Sequence, residues 1–228
     1  MKREIIITAD GSSTIHLPEW NEHYHSKHGA IQEAAHVFIQ SGLHHCCQLE
    51  SRRTDHLAIL EMGFGTGLNA LMTLFEAEKL NIRVDYVGIE AYPVTLDEVF
   101  QLNYADRTDQ SSGAAVFKTL HQLSWEHAHE VTSHFSLTKR KQFFNAVADE
   151  NTFDLIYFDA FGPRVQPELW TAPIFERMFK ALKYQGVLVT YSAKGSVRRA
   201  MQQVGFLVEK LPGPPGKREM LRASKGTT

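Results

Sequence analysis

The stretch Leu57–Ala70, "LAILEMGFGTGLNA", decides how this chain folds. Its first six residues form an apolar run broken only by Glu61, the pattern of a strand covered on both faces in a parallel sheet. Gly63, Gly65 and Gly67 follow at alternate positions, and the apolar spacing then lengthens to that of a helix in "LNALMTLFEAEKL". A buried strand, a glycine turn and a helix make the first half of a βαβ unit. Without a Cβ in the turn, backbone N–H groups and a ligand can approach each other closely.

The alternation continues outward. "VDYVGIE" (Val84–Glu90) reads as a second strand, and Pro93 and Thr95 open another helix. "FDLIYFDAF" (Phe153–Phe161) is a strand, Ala172–Lys183 an amphipathic helix, Gly186–Ala193 a strand, and "GSVRRAMQQVG" a helix closed by Gly205. "FLVEKL" and "EMLRAS" end the chain as two strands joined by "PGPPGKR", a connection too short for a parallel crossover. The expected fold class is α/β, a Rossmann-like, mostly parallel sheet with an antiparallel C-terminal strand and helices on both faces. Residues 104–150 read as largely helical, "WEHAHEVTSHF" included, with a weak strand near "HFSL". Residues 1–50 fall outside the alternation. A hairpin around Asp10-Gly11 and a helix over Gly29–Gly42 make them an N-terminal extension packed on a core of residues 51–228.

Composition narrows the function classes. A chain of 228 residues with 43% hydrophobic residues suits one globular unit, and no apolar run is long enough to span a bilayer. The N-terminus lacks a secretory pattern, and the two cysteines, Cys46 and Cys47, are adjacent and build no disulfide framework. Both point to a reducing, cytoplasmic setting. Net charge is −2, which by itself does not indicate nucleic acid, although basic residues cluster at 138–142, 194–199 and 215–222. Twelve histidines raise the question of a metal, but "HYHSKH" (His23–His28) and "HHCC" (His44–Cys47) lack zinc-ligand spacing. No metal is expected, and His25 reads as a surface or packed residue, with lining the site as the alternative.

Two cofactor classes fit the glycine stretch. The frame Gly65, Gly67, Ala70 satisfies a dinucleotide fingerprint. Glu61 with Gly63, Gly65 and Gly67 satisfies the acidic-strand, G-x-G-x-G pattern of S-adenosylmethionine enzymes, and the terminal antiparallel pair favours these. Asn69 belongs to the same candidate cofactor loop. Glu90, closing the next strand, suits ribose hydroxyls in either class. Asp159 closes a strand too, so it falls on the same rim, as a turn-former or as a carboxylate facing a reactive methyl group. Methyl transfer to an amine needs alignment and a proton acceptor, which a carboxylate supplies. Phe161, Pro163 and Trp170 stand nearby to wall an aromatic base.

"YHSKHGAIQEAAHVF", "EMGFGTGLNALMTL", "FDAFGPRVQPELW" and "TYSAKGSVRRAMQQVGFLVEKLPGPPGKREM" together resemble the tRNA 5-methylaminomethyl-2-thiouridine methyltransferases, which occur alone (MnmD) and as half of the bifunctional enzyme MnmC. The resemblance runs from about Thr8 to Ala223. It implies methyl transfer from S-adenosyl-L-methionine to the amine of 5-aminomethyl-(2-thio)uridine at the tRNA wobble position. It also implies that Asp159 stands next to that amine, and that Gly63, Gly65, Gly67 and Glu90 hold the cofactor. Tyr24, Ser26, Gly29 and Glu33 match an N-terminal motif that covers the site, and Lys194, Lys217 and Arg218 are expected on the same rim. The family's acid near the adenine is missing: "FSLTKRKQFFNAV" offers Gln142 instead. The expected partner is tRNA, with no membrane and a monomer favoured. A small-amine methyltransferase or a polyamine-synthase-like aminopropyltransferase is the alternative enzyme, and a binding protein without chemistry is a third class.

Overall fold

The structure, a computed structural model, describes residues 2–49, 55–107 and 112–226. Eight strands form one sheet. In chain order they are β4 (His56–Met62), β5 (Arg83–Ile89), β6 (Ala128–Thr132), β7 (Phe135–Arg140), β8 (Phe153–Phe158), β9 (Leu182–Thr190), β10 (Leu207–Pro212) and β11 (Glu219–Ser224). Their spatial order is β10-β11-β9-β8-β4-β5-β7-β6. The five strands β9, β8, β4, β5 and β7 run parallel, whereas β11 pairs antiparallel with β9 and β10, and β6 with β7.

The sheet carries a core on each face, as parallel sheets require. Along β4, Leu57 and Ile59 join the core on one face, and Leu60 and Met62 the other. All six residues of β8 are buried. The helices α3 (Leu68–Leu80), α4 (Leu96–Val99), α5 (Gly113–Gln122), α6 (Ala172–Ala181) and α7 (Gly195–Gln203) connect the strands. Helix α3 starts and stops where the sequence periodicity does, ending on Asn81 in a left-handed conformation. Thr95 and Glu98 form a capping box at α4. No helix among the described residues is long and apolar enough to cross a membrane.

The N-terminal segment forms a small antiparallel sheet, β1 (Glu4–Ile7), β2 (Ser13–Leu17) and β3 (Glu22–His23), followed by a helical segment. That segment runs from α1 (Ala30–Ala34) through a π-helical stretch (Ala35–His44) into α2 (His45–Gln48). Gly42 lets it lie close against the sheet, since a Cβ there would stand 3.1 Å from Val189 and 3.2 Å from Tyr157. Ile15, Val37, Phe38 and Leu43 share one core with Tyr157 and Val189.

Two expectations are corrected. Ala128–Thr132, read as helix, is the edge strand β6, paired antiparallel with β7. An edge strand has few neighbours, so its side chains stay polar and the period-two signal sits only in its partner, where Phe135, Leu137 and Lys139 are buried. The α6 helix stops at Ala181, and β9 begins at Leu182 rather than Gly186. A register shift against β8 and the positive φ of Gln185 absorb the extra residues.

Candidate active site

Strand β4 lies between β5 and β8, so the chain leaves it to one side and returns to the other. At such a switch point the connections diverge beyond the carboxyl ends of the strands and leave a crevice. Backbone bonds stitch its floor: Gly63 and Phe64 N–H donate to Ile89 O at 3.0 and 2.9 Å, and Asp159 N–H to Met62 O at 3.0 Å. Gly63 has φ 98°, and a Cβ there would stand 2.5 Å from the Asp159 carbonyl oxygen. The glycine is the condition for this loop to touch the Asp159 segment.

A cavity of about 970 Å³ opens above this floor. Of the residues singled out from sequence, Tyr24, Gly63, Gly65, Asn69, Glu90, Asp159 and Phe161 line it. Glu90 accepts from Gly65 N–H at 3.0 Å and Tyr92 N–H at 2.9 Å, which ties the ends of β4 and β5 together. Asn69 donates through Nδ2 to Asp159 Oδ2 at 2.9 Å and to Glu61 Oε1 at 2.8 Å, bridging two carboxyl groups. Burial holds Asp159 at about 7, far above its ordinary 3.8; the charge of Glu33 adds to this, while the Asn69 bond and Lys217 oppose it. Burial pushes Glu61 well above the usual carboxylate range as well. Asp159 therefore titrates near neutrality.

Asn69 Oδ1 and Glu61 Oε2 are buried without a hydrogen-bond partner. Since Asn69 lines the cavity, its free carbonyl oxygen suits the N–H of a bound ligand, which an ammonium group provides. Together with Glu90 and the glycine loop, this donor and acceptor set fits S-adenosyl-L-methionine.

Other expected residues lie elsewhere. Glu61 sits behind Asn69, and Gly67 caps α3 against His121. Ser26, Glu33 and Lys217 form a layer beside Asp159 instead of the cavity wall. Glu33 accepts from Ser26 N–H at 2.8 Å and pairs with the Lys217 ammonium, so these two charges are spent on each other. Lys217 also stands 3.8 Å over the Tyr191 ring, whose hydroxyl donates to Ala160 O at 2.8 Å. Pro163 lies in a turn closed by Val165 N–H and Gly162 O, and Lys194 and Arg218 lie outside the cavity. Gln142 does not line it either: its N–H folds back to Arg140 O, and Phe143, Phe144 and Asn145 reach the cavity in its place. Trp170 is buried among Phe158, Phe175 and Tyr191, where its indole N–H donates to Phe161 O at 2.8 Å. It anchors Phe161 from behind.

Sequence reading missed Arg3, Trp20, Tyr92 and Asn145 in the lining, and His25, the lesser alternative there, lines it too. Arg3 reaches from the residue before β1 to Tyr92 O at 3.0 Å and Glu98 Oε2 at 3.1 Å, strapping the loop after Glu90. Trp20 and Tyr24 both meet Phe161 edge-on, at 5.7 and 5.0 Å between centroids. Among the described residues, no group of three or more His, Cys, Asp or Glu is placed to hold a metal ion.

Residues 116–226 match a family described as S-adenosyl-L-methionine-dependent methyltransferase. The tRNA 5-methylaminomethyl-2-thiouridine biosynthesis bifunctional protein MnmC of Polaromonas naphthalenivorans is 29% identical over 94% of this chain and 34% of its own length. The Delftia acidovorans protein of the same name is 30% identical over 92% and 33%. This chain thus spans about one third of the length of the curated relatives it matches. The crystal structure of MNMC2 from Aquifex aeolicus superposes with a TM-score of 0.77 at 25% identity, covering 98% of this chain and 70% of that one. The chain has the fold of the S-adenosyl-L-methionine-dependent methyltransferases, matches the model of that family over residues 116–226, and is similar to about one third of the length of MnmC.

Proposed function

We propose that this chain methylates the exocyclic amine of 5-aminomethyl-(2-thio)uridine at the wobble position of tRNA, giving 5-methylaminomethyl-(2-thio)uridine, with Asp159 as its catalytic carboxylate. The observation that carries this is Asp159 itself. It is held by Asn69 beside the glycine loop, titrates near neutrality, and faces a cavity walled by Trp20, Tyr24 and Phe161. The names of the relatives, which tie them to biosynthesis of this nucleoside in tRNA, support the choice of substrate.

When bound, S-adenosyl-L-methionine supplies an electrophilic methyl group with a neutral thioether as leaving group. The glycine loop, Asn69 and Glu90 would hold it, Glu90 through the ribose hydroxyls. Ionised Asp159 accepts a hydrogen bond from the substrate amine, aims the nitrogen lone pair and takes the proton as the N–C bond forms. The aromatic walls suit a single base turned out of an anticodon loop, for which unstacking costs little. Burial pushes the Tyr24 phenol up to about 12, so this wall is neutral at pH 7. Lys194 and Arg218, outside the cavity, serve the phosphates around that base.

The test is nucleoside mass spectrometry on tRNA bearing 5-aminomethyl-2-thiouridine, incubated with protein and S-adenosyl-L-methionine. A gain of one methyl on that nucleoside, lost in Asp159→Ala, is the expected result. No gain from protein that binds the cofactor would move the substrate to a small amine.

A further inference from the structure

His25 belongs to "HYHSKH", a stretch that the chemistry above does not use. Its imidazole lines the cavity and touches three separate parts of the chain. Nδ1 is 3.2 Å from Thr14 Oγ1 on β2 and 3.3 Å from the Tyr104 hydroxyl, while Nε2 is 3.4 Å from Thr66 Oγ1. Thr66 is the residue between Gly65 and Gly67, is 1% exposed, and also lines the cavity.

The hydrogens can be assigned from the partners. Thr14 Oγ1 already accepts from the His25 backbone N–H at 3.1 Å, so its own hydrogen points to Nδ1. The Tyr104 hydroxyl stands 3.3 Å from the same nitrogen. Burial keeps the imidazole neutral at pH 7, with a pKa of about 4. The ring hydrogen then sits on Nε2 and faces Thr66 Oγ1. From the other side, His121 Nε2 lies 3.1 Å from Thr66 O and packs against Gly67, also neutral by burial. Two neutral histidines, one from the N-terminal segment and one from α5, thus clamp a single residue of the glycine loop.

We propose that His25 is a positioning residue for the cofactor: by holding Thr66 it fixes the Gly65–Gly67 backbone against which S-adenosyl-L-methionine binds. The N-terminal segment is on this account part of the cofactor site as well as a cover for the substrate. The inference rests on cofactor binding at the glycine loop and is independent of which amine is methylated.

Calorimetric titration with S-adenosyl-L-homocysteine tests it on wild type, His25→Phe, Thr66→Val and the double variant, with thermal unfolding measured on each. Phenylalanine keeps the ring and removes only the polar nitrogens. Each single substitution is expected to weaken binding about fivefold, the worth of one hydrogen bond. The double variant should bind no more weakly than Thr66→Val alone, because His25 acts through Thr66. His25→Gln, which keeps a side-chain donor, should recover most of the affinity. Unchanged affinity in folded His25→Phe, or losses that multiply in the double variant, would overturn the proposal while leaving the methyltransferase reading intact. Wild type that fails to bind the ligand would overturn both.

Discussion

Replacing Asp159 with asparagine separates the catalytic role proposed for this carboxylate from what it costs the fold. The two side chains have the same shape, and the amide oxygen of the substituted side chain can accept the Asn69 N–H as Asp159 Oδ2 does at 2.9 Å. Only the charge is lost. A carboxyl held at about 7 instead of 3.8 keeps its proton in the folded state after the unfolded chain has released it. The unfolded state therefore binds fewer protons between those values, and stability falls as pH climbs from about 4 to about 7, then levels off. The ceiling on this penalty is about 4 kcal/mol. Asp159 keeps some contact with the cavity, so the share developed between pH 5 and pH 8 is about 1–2 kcal/mol. Urea unfolding of both proteins at the two pH values measures it, and the stability of Asp159→Asn relative to wild type should rise by that amount at pH 8. Methylation should fall at least ~100-fold in the same variant, since it lacks the proton acceptor. Wild-type kcat/KM should rise through an apparent pKa near 7. A variant that is less active but shows no pH-dependent gain in stability would refute the claim that Asp159 is a buried base whose ionisation costs stability.

Glu33 raises the Asp159 pKa and Lys217 lowers it, so the pH–rate limb should move to lower pH in Glu33→Gln and to higher pH in Lys217→Gln; shifts in the same direction would remove this layer from the titration. Gly63→Ala forces a Cβ against Asp159 O at φ 98° and should cost about 2 kcal/mol or more in urea unfolding, together with S-adenosyl-L-homocysteine binding. Raising the salt concentration several-fold should raise KM for tRNA steeply while leaving KM for S-adenosyl-L-methionine nearly unchanged; equal response of both would count against phosphate contacts.

Local chemistry determined the parts of this protein that could be read from its sequence. The unit of β4, glycine loop and α3 depends on a switch from continuous burial to helical spacing within a few residues, and the structure places it where the pattern does. Asp159 and Glu90 were legible as strand-ending carboxylates, because in such a sheet every strand end on that rim faces the ligand. The edge strand β6 was not legible, since it buries little and its hydrogen bonds carry no residue signature. Nor was the fate of the charges. Glu33 and Lys217 are 184 residues apart, and only the packed fold spends them on each other beside Asp159. Arg3 reaching Glu98, Asn145 standing where Gln142 was expected, and His25 meeting Thr66 are contacts of the same kind. Sequence specifies which groups are present and which rim they share. Their protonation and partners follow from burial and from distances across the chain, which the tertiary structure alone sets.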